Sequence, residues 1–321
     1  MDVDDFADLV PAHLPPRRPV RVTRLAGGSK KGVYRLVFDD GATTVAYVWR
    51  AAENFWPAAP ETDPDDPFRD SSGIDLFDSA HRRLAGLGVR TPEVLALDRS
   101  RAHVDADVAF VEDLTGGTLE ALIERDRAAA DGPLAMLRDA LAAMHGATSP
   151  SFGSVATVDA DRGVTSRPAA DIVFARAQAH LAEAAAYEPR IEAHRDALAA
   201  VARDLAAAVP ARNRYALIHG ELGPDHVMLD DRGRPALIDI EGLAYFDVEW
   251  EHVFLRMRFR DDYPALAADD LDPHRMRFYQ FAHHLSLIAG PLRIATAAGF
   301  PDVDFMREVA HAHTGRALAF L

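Results

Sequence analysis

Residues 215–242 read YALIHGELGPDHVMLDDRGRPALIDIEG, two short apolar runs that each stop abruptly in acids and histidines. The runs YALI and PALI are bounded by turn signals, with LDDRGRP between them, so they predict a pair of short core strands. Polar residues at the ends of such strands project into a common cleft, which singles out His219, Glu221, His226 and Asp239. If the two runs pair, Glu221 comes close to Asp239, and His226 follows across a GPD turn. Two carboxylates and an imidazole converging there can bind a divalent metal or carry acid–base chemistry. The same spacing fits solvated loop carboxylates beside a structural histidine.

Composition bounds the rest. A chain of 321 residues, 49% hydrophobic, can bury a large core as one large domain or two lobes. Its formal net charge of -15 argues against nucleic acid and against an anionic membrane surface, both of which need a basic footprint. There is no cysteine, which excludes disulfides, thiolate metal sites and cysteine catalysis. The opening MDVDDFADLVPAHLPP is acidic and lacks an apolar leader core, and no run approaches the roughly 18 apolar residues of a membrane span. A cytoplasmic protein is the expectation.

Along the chain the first third reads as strands and the remainder mostly as helices. RVTRLAGGSKKGVYRLVFDDGATTVAYVWR gives three strand candidates, residues 21–25, 33–38 and 44–50, divided by a Gly-rich turn and by the hairpin signal DDG. AAENFWPAAPETDPDDPFRDSSG reads as a long loop, and IDLFDSAHRRLAGLGV carries helical spacing on Leu76, Ala80, Leu84 and Leu87 with a stop at Gly88. ADVAFVEDL is a further buried strand. Thr118 can cap the helix of TGGTLEALIERD. From Pro133 onward the pattern is helix after helix, interrupted by the opening stretch.

HGELGPDHVMLD followed by LIDIEG resembles the catalytic loop and metal-binding segment of the aminoglycoside and macrolide phosphotransferases, the small-molecule branch of the protein-kinase-like fold. The order of Gly-rich hairpin, cationic strand end, helix, connecting strand and helical lobe follows that family across nearly the whole chain. The resemblance implies an α+β, bilobal fold: an N-terminal nucleotide-binding lobe of antiparallel strands with one helix over residues 1–113, and a larger, mostly helical C-terminal lobe over residues 114–321. It implies ATP (or GTP) with Mg²⁺ or Mn²⁺, and transfer of the γ-phosphoryl group to a hydroxyl of a small molecule.

By position, the resemblance puts Glu221 where the family has its catalytic Asp, a departure that lengthens the side chain by one methylene. His226 falls on the metal-ligand Asn, and Asp239 on the acid that bridges metal to phosphates. An imidazole suits Mg²⁺ less well than an oxygen does, so Mn²⁺ or a larger share for Asp239 follows. His219 corresponds to a residue that braces the loop. Asp247 and Glu251 match two acids after the metal strand and read either as such a brace or as surface acids at a helix start.

The only two lysines are Lys30 and Lys31, in LAGGSKKGVY. A turn of Gly27, Gly28, Ser29 and Gly32 can bring backbone N–H groups against phosphates, although such a stretch is more often a plain hairpin. The lysines either touch phosphate or sit in solvent, and solvent is the expectation. The strand lysine that kinases direct at phosphates is then replaced by Arg50, paired with Asp78, or failing that Asp75, on the following helix. The resemblance further implies that backbone groups of Val111 to Leu114, among them Glu112 and Asp113, hold the nucleotide base.

For the acceptor, Glu241, Glu249, Asp261 and Asp262 suit a polycation such as an aminoglycoside, whereas Phe254, Met257 and the RFYQF helix suit a macrolide. A cellular metabolite fits equally. Phe55 and Trp56 either cap the cleft or pack on the small lobe, the latter being expected. EWEHVF lacks the second histidine of a zinc protease. The pairs His283/His284 and His311/His313 do not share helix faces and read as surface or core. Because Glu221 and His226 both depart from the family, a nucleotide-binding pseudokinase or interaction module without turnover stands as the alternative.

Overall fold

The computed structural model of the chain describes residues 1–26, 28–57, 63–69 and 71–321. They form two compact units: one of Met1–Phe55, Ser71–Ala140 and Pro224–Glu241, the other of Trp56–Asp70, Leu141–Gly223 and Gly242–Leu321.

The first unit opens with helices α1 (Val3–Phe6) and α2 (Leu9–His13). Asp2 and Asp5 build a capping box at α1 by accepting each other's terminal N–H groups. Strands β1 (Pro19–Arg24), β2 (Gly32–Phe38) and β3 (Thr43–Trp49) follow, then helix α3 (Ile74–Gly86) and strands β4 (Val94–Asp98) and β5 (Asp107–Val111). They make one antiparallel sheet in the order β1-β2-β3-β5-β4. Side chains alternate across a strand, so the sheet has two distinct faces. Tyr34, Leu36, Phe38, Ala46, Val48, Val108 and Phe110 bury one face against Phe6, Leu9 and Val10. Tyr47 and Trp49 turn to the other, where they meet Phe77 of α3 at ring distances of 5.6 and 5.7 Å.

Helix α4 (Leu119–Arg125) is capped by Thr118, whose hydroxyl accepts from Ala121 N, and α5 (Asp131–Gly146) comes next. Strands β6 (Thr148–Ser149) and β7 (Gly153–Ser154) then precede helices α6 (Val155–Asp159), α7 (Ala169–Tyr187), α8 (Pro189–Glu192) and α9 (Arg195–Ala207). Strands β8 (Tyr215–Ile218), β9 (Val227–Leu229), β10 (Pro235–Leu237) and β11 (Ala244–Phe246) span the opening stretch. Helices α10 (Val248–Phe259), α11 (Pro273–Ile294) and α12 (Val303–Leu318) close the chain.

The expected pairing of YALI with PALI does not occur. β8 lies in the second unit, in a sheet ordered β6-β8-β11-β7, and β10 pairs instead with β9 in the first unit. The reason is local: the Asp230 carboxylate accepts from the backbone N–H groups of Arg232 and Arg234 and makes a tight turn, so VML closes on PAL over a short loop. Glu221 and Asp239 are therefore not juxtaposed by strand pairing. The second unit otherwise packs an aromatic core of Phe152, Tyr215, Phe246, Trp250 and Tyr279. No described helix is long and apolar enough to cross a membrane.

The hairpin β9–β10 is tied to the chain before α4, where Gly116 N donates to Leu229 O and Leu229 N to Gly117 O. A Cβ on Gly116 would fall 2.5 Å from Asp230 O and 2.6 Å from Leu229 O, both backbone atoms. Gly116→Ala is expected to lower the unfolding free energy by about 1–3 kcal/mol, read as a lower urea midpoint at unchanged slope. An unchanged midpoint would mean that the hairpin moves aside at no cost.

Candidate active site

Lys31 ends the Gly-rich turn and is 6% exposed. Its Nζ donates to Asp239 Oδ1 at 2.6 Å and to Glu241 Oε1 at 2.5 Å, and its ammonium stands 5.2 Å from the Tyr47 ring centroid. The expectation that it sits in solvent is wrong. Burial alone would lower the Lys31 pKa, but the two carboxylates outweigh burial and hold it above its ordinary value. The turn geometry makes this possible. Gly28 has φ +74°, and a Cβ there would lie 2.6 Å from Lys31 O, so a side chain would prevent the chain from curling back over this residue. Lys30 points elsewhere, to Ser71 Oγ at 2.7 Å. Of the other turn residues, Ser29 O accepts from Phe55 N, a Cβ on Gly32 would meet Tyr34 and Glu53, and Gly27 lies outside the described residues.

The expected ion pair of Arg50 with Asp78 does not form. Arg50 continues β3 in extended conformation, so alternation places it on the face of Val48 and Tyr34, opposite to α3. There it donates to Glu53 at 3.2 Å, joined on the same carboxylate by Arg24 and the Tyr34 hydroxyl. Asp78 pairs with Arg82 and Arg99, and Asp75 with Arg99. Lys31 sits on the α3 side of the sheet, beside Tyr47, and its ammonium reaches Asp239 and Glu241.

Asp239 follows β10 with φ +59°, a left-handed conformation uncommon outside glycine and most accessible to Asn and Asp. Its side chain is 49% exposed despite the Lys31 bond, whereas that of Glu241 is 4% exposed, with Oε2 buried and without a hydrogen-bond partner. Ile238 N donates to His226 O, which sets the imidazole near the strand end: His226 Nε2 stands 3.9 Å from Asp239 Oδ2 and 3.7 Å from Asp225 Oδ2. Among the described residues no three histidines or acids form a complete metal cluster. One or two protein ligands with the remainder from phosphates and water is the usual provision for Mg²⁺, so this donor set fits a nucleotide-bound cation.

The second unit holds the loop before this hairpin. His219 is 1% exposed, Gly220 has φ +91°, and Glu221 follows on the surface. Glu251 of α10, fully buried, accepts from His219 N at 2.5 Å and from Gly220 N at 3.5 Å. Asp247 is 1% exposed and takes Arg275 Nε at 3.1 Å, Arg212 Nη1 at 3.3 Å and the Tyr279 hydroxyl. Both acids are thus internal anchors and not surface groups.

The connector after β5 is held by bonds within the first unit. Thr44 Oγ1 donates to Val111 O and Glu112 N to Glu93 O, while the side chains of Glu112 and Asp113 turn to Arg90 and Arg35 and Leu114 is buried. Two of the four acids expected to face an acceptor are committed inside: Glu241 to Lys31 and Glu249 to Arg212 at 2.6 and 2.7 Å. Asp261 is exposed and Asp262 half-buried. Trp56 packs not on the sheet but in the second unit, beside Gly290 and under Arg293. His284 and His313 are core residues joined through their Nδ1 atoms at 3.0 Å.

The family model for the phosphotransferase enzyme family matches residues 21–279. Among solved structures, a thermostable mutant of the aminoglycoside phosphotransferase APH(4)-Ia, in complex with ADP and hygromycin B, is similar at TM-score 0.64 and 18% identity, covering 99% of this chain and 97% of that one. The GDP and kanamycin complex of APH(2")-IIia is similar at 0.64 and 18%, covering 98% of each chain. A fructosamine-3-kinase from Thermobifida fusca, itself named as such only provisionally, gives 0.54 and 18% over 99% of each. No curated protein sequence matches the chain. The fold is therefore the α+β, protein-kinase-like fold, with its antiparallel sheet and its helical part.

Burial pushes the Glu251 carboxyl from 4.5 up to about 7, against the pull of the His219, Gly220 and Leu222 N–H groups. A carboxyl raised in the folded state binds more protons there than in the unfolded chain between these two values. Its contribution to stability is therefore full below pH 4.5, declines as pH rises, and is lost above pH 7. Glu251→Gln keeps an acceptor oxygen for the loop and does not titrate. From pH 4.5 to 7 the stability difference between wild type and Glu251→Gln should move in the variant's favour by roughly 2–3 kcal/mol. Parallel urea curves at each pH check this, and a constant difference would refute a raised Glu251.

Proposed function

The chain belongs to the phosphotransferase enzyme family and is a phosphotransferase with a hydroxyl acceptor, and from that premise we propose an ATP- or GTP-dependent small-molecule kinase that moves the γ-phosphoryl group onto a substrate hydroxyl. The observation that carries this reading is the buried Lys31 ammonium held between Asp239 and Glu241. One cation against two carboxylates leaves a net negative site, half-open at Asp239, which suits a divalent cation and the polyphosphate that accompanies it.

In this reading Lys31 exchanges its bond to Asp239 for oxygens of the nucleotide phosphates, while Glu241 retains it and fixes its direction. Asp239 and His226 would hold Mg²⁺ or Mn²⁺, which supplies charge neutralisation on the phosphates. The Gly28–Gly32 turn offers N–H groups to the same oxygens, and the backbone of the connector past Glu112, whose own N–H is taken by Glu93 O, would meet the base. Glu221 would accept or orient the acceptor hydroxyl, with its loop held by Glu251. Little covalent chemistry is required of these groups, because positioning and charge neutralisation account for most of the catalysis of phosphoryl transfer. The ADP and GDP complexes of the similar enzymes support a nucleotide donor. Acceptors of the aminoglycoside, macrolide or metabolite class all remain compatible with a cytoplasmic enzyme of this kind.

Thermal unfolding with and without ATP, in Mg²⁺ and in Mn²⁺, tests the proposal. Ligand at 100 times its dissociation constant stabilises by about 2.7 kcal/mol, enough to move the midpoint by a few degrees. The shift should depend on the metal, disappear in Asp239→Ala and weaken at least tenfold in apparent affinity in Lys31→Arg. Absence of any shift in wild type, with ATP or GTP in either metal, would overturn the reading. A shift without turnover, equal in wild type and Glu221→Gln, would assign the chain to nucleotide binding alone.

A further inference from the structure

The catalytic-loop turn His219-Gly220-Glu221 is held by Glu251 on one side, and a second group touches it that nothing in the family resemblance assigns. Phe68 comes from the segment between β3 and α3, yet it folds with the second unit. A Cβ on Gly220 would lie 3.1 Å from Phe68 Cε1 and 3.6 Å from its Cδ1. The ring thus rests against the backbone of the residue immediately before Glu221, at a left-handed glycine that leaves room for it.

The ring is itself fixed from several directions. It stacks on Trp250 at 4.9 Å with planes 11° apart and meets Phe246 edge-on at 5.1 Å. Arg176 lies over both the Phe68 and Trp250 rings, at 5.5 and 5.8 Å. The same guanidinium pairs with the buried Asp66, whose Oδ1 accepts from Phe68 N at 2.9 Å. Asp63 pairs with Arg167, and Trp56 packs beside Gly290 under Arg293. Each anchor is specific, and together they set a single aromatic edge on the turn.

We propose that Phe68 is a positioning residue for the reaction: through Gly220 it fixes the backbone that carries Glu221 and hence the place where the acceptor hydroxyl is oriented. Trp250 and Glu251 are adjacent on α10, so one helical turn serves both contacts. Glu251 binds the N–H groups of the loop while Trp250 backs the ring that touches Gly220. The role assigned to Glu221 rests on the kinase reading above; the fixing of the loop does not.

The experiment is backbone hydrogen exchange over residues 215–223 in wild type, Phe68→Ala, Phe68→Leu and Phe68→Tyr, with steady-state hydrolysis of ATP in Mg²⁺ using water as acceptor. Phe68→Leu keeps apolar bulk and serves if the alanine variant folds poorly. Removing the ring should accelerate exchange at the His219 and Gly220 amides at least tenfold relative to the protected amides of β2 and β3. It should lower kcat for ATP hydrolysis at least tenfold with KM for ATP within twofold, and Phe68→Tyr should restore both. Unchanged exchange at these amides, acceleration spread evenly over the chain, or a kcat insensitive to Phe68→Leu would overturn the proposal. If wild type binds no nucleotide, the kinase reading fails and the exchange data alone decide whether Phe68 fixes the loop.

Discussion

A lysine ammonium buried between two carboxylates is costly to assemble, because each ion loses its hydration and recovers it only through close, well-directed partners. Lys31 meets that condition against Asp239 and Glu241, and much of the first unit is arranged so that it can. Gly28 lets the turn curl back, Tyr47 lines the stem, and the β9–β10 hairpin presents Asp239 in a left-handed conformation at its end. The polar constraint, more than the apolar packing around it, dictates how the Gly-rich turn and the end of the β9–β10 hairpin must be built.

Much of the fold, though not this arrangement, was legible in the sequence. Strands at residues 21–25, 33–38 and 44–50 anticipate β1 to β3 within two residues, and the catalytic segment led to the fold through its resemblance to the phosphotransferases. The expected pairing of Arg50 with Asp78, which does not form, had a readable remedy. Position 50 has the parity of Val48 and Ala46, which bury against α1 and α2, whereas position 31 has the parity of Val33, opposite Tyr47. Counting along the strands would have placed Lys31 on the α3 face and Arg50 away from it. The partner of Arg50 was local, too: Glu53 is three residues on.

Other features left no such trace. That Glu241 and Glu249 are internal depends on Lys31 and Arg212, which lie far away in the chain. A carboxylate next to an apolar run reads equally as a pocket wall or as half of a buried pair, and only the fold chooses. The same holds for Asp247 and Glu251, whose helix start looks like a surface helix until Arg275, Tyr279 and the loop amides are in place. The pairing of YALI with PALI failed because two candidate partners compete for each short run, and the nearer one, across the Asp230 turn, closes with less loss of chain entropy.

The departure at Glu221 connects these observations. In the proposed reading Glu221 takes the place that the resemblance gives to an aspartate, and with one more rotatable bond its carboxylate samples a wider region unless the backbone beneath it is well determined. The loop that carries it is held at its amides by a buried carboxyl and at its glycine by an aromatic ring, and that ring is in turn clamped by Trp250 and Arg176. Loops with few internal contacts open at low free energy, whereas one held at two points does not. The added freedom of the side chain is thus set against reduced freedom of the backbone, and a longer acid can still be directed to one place.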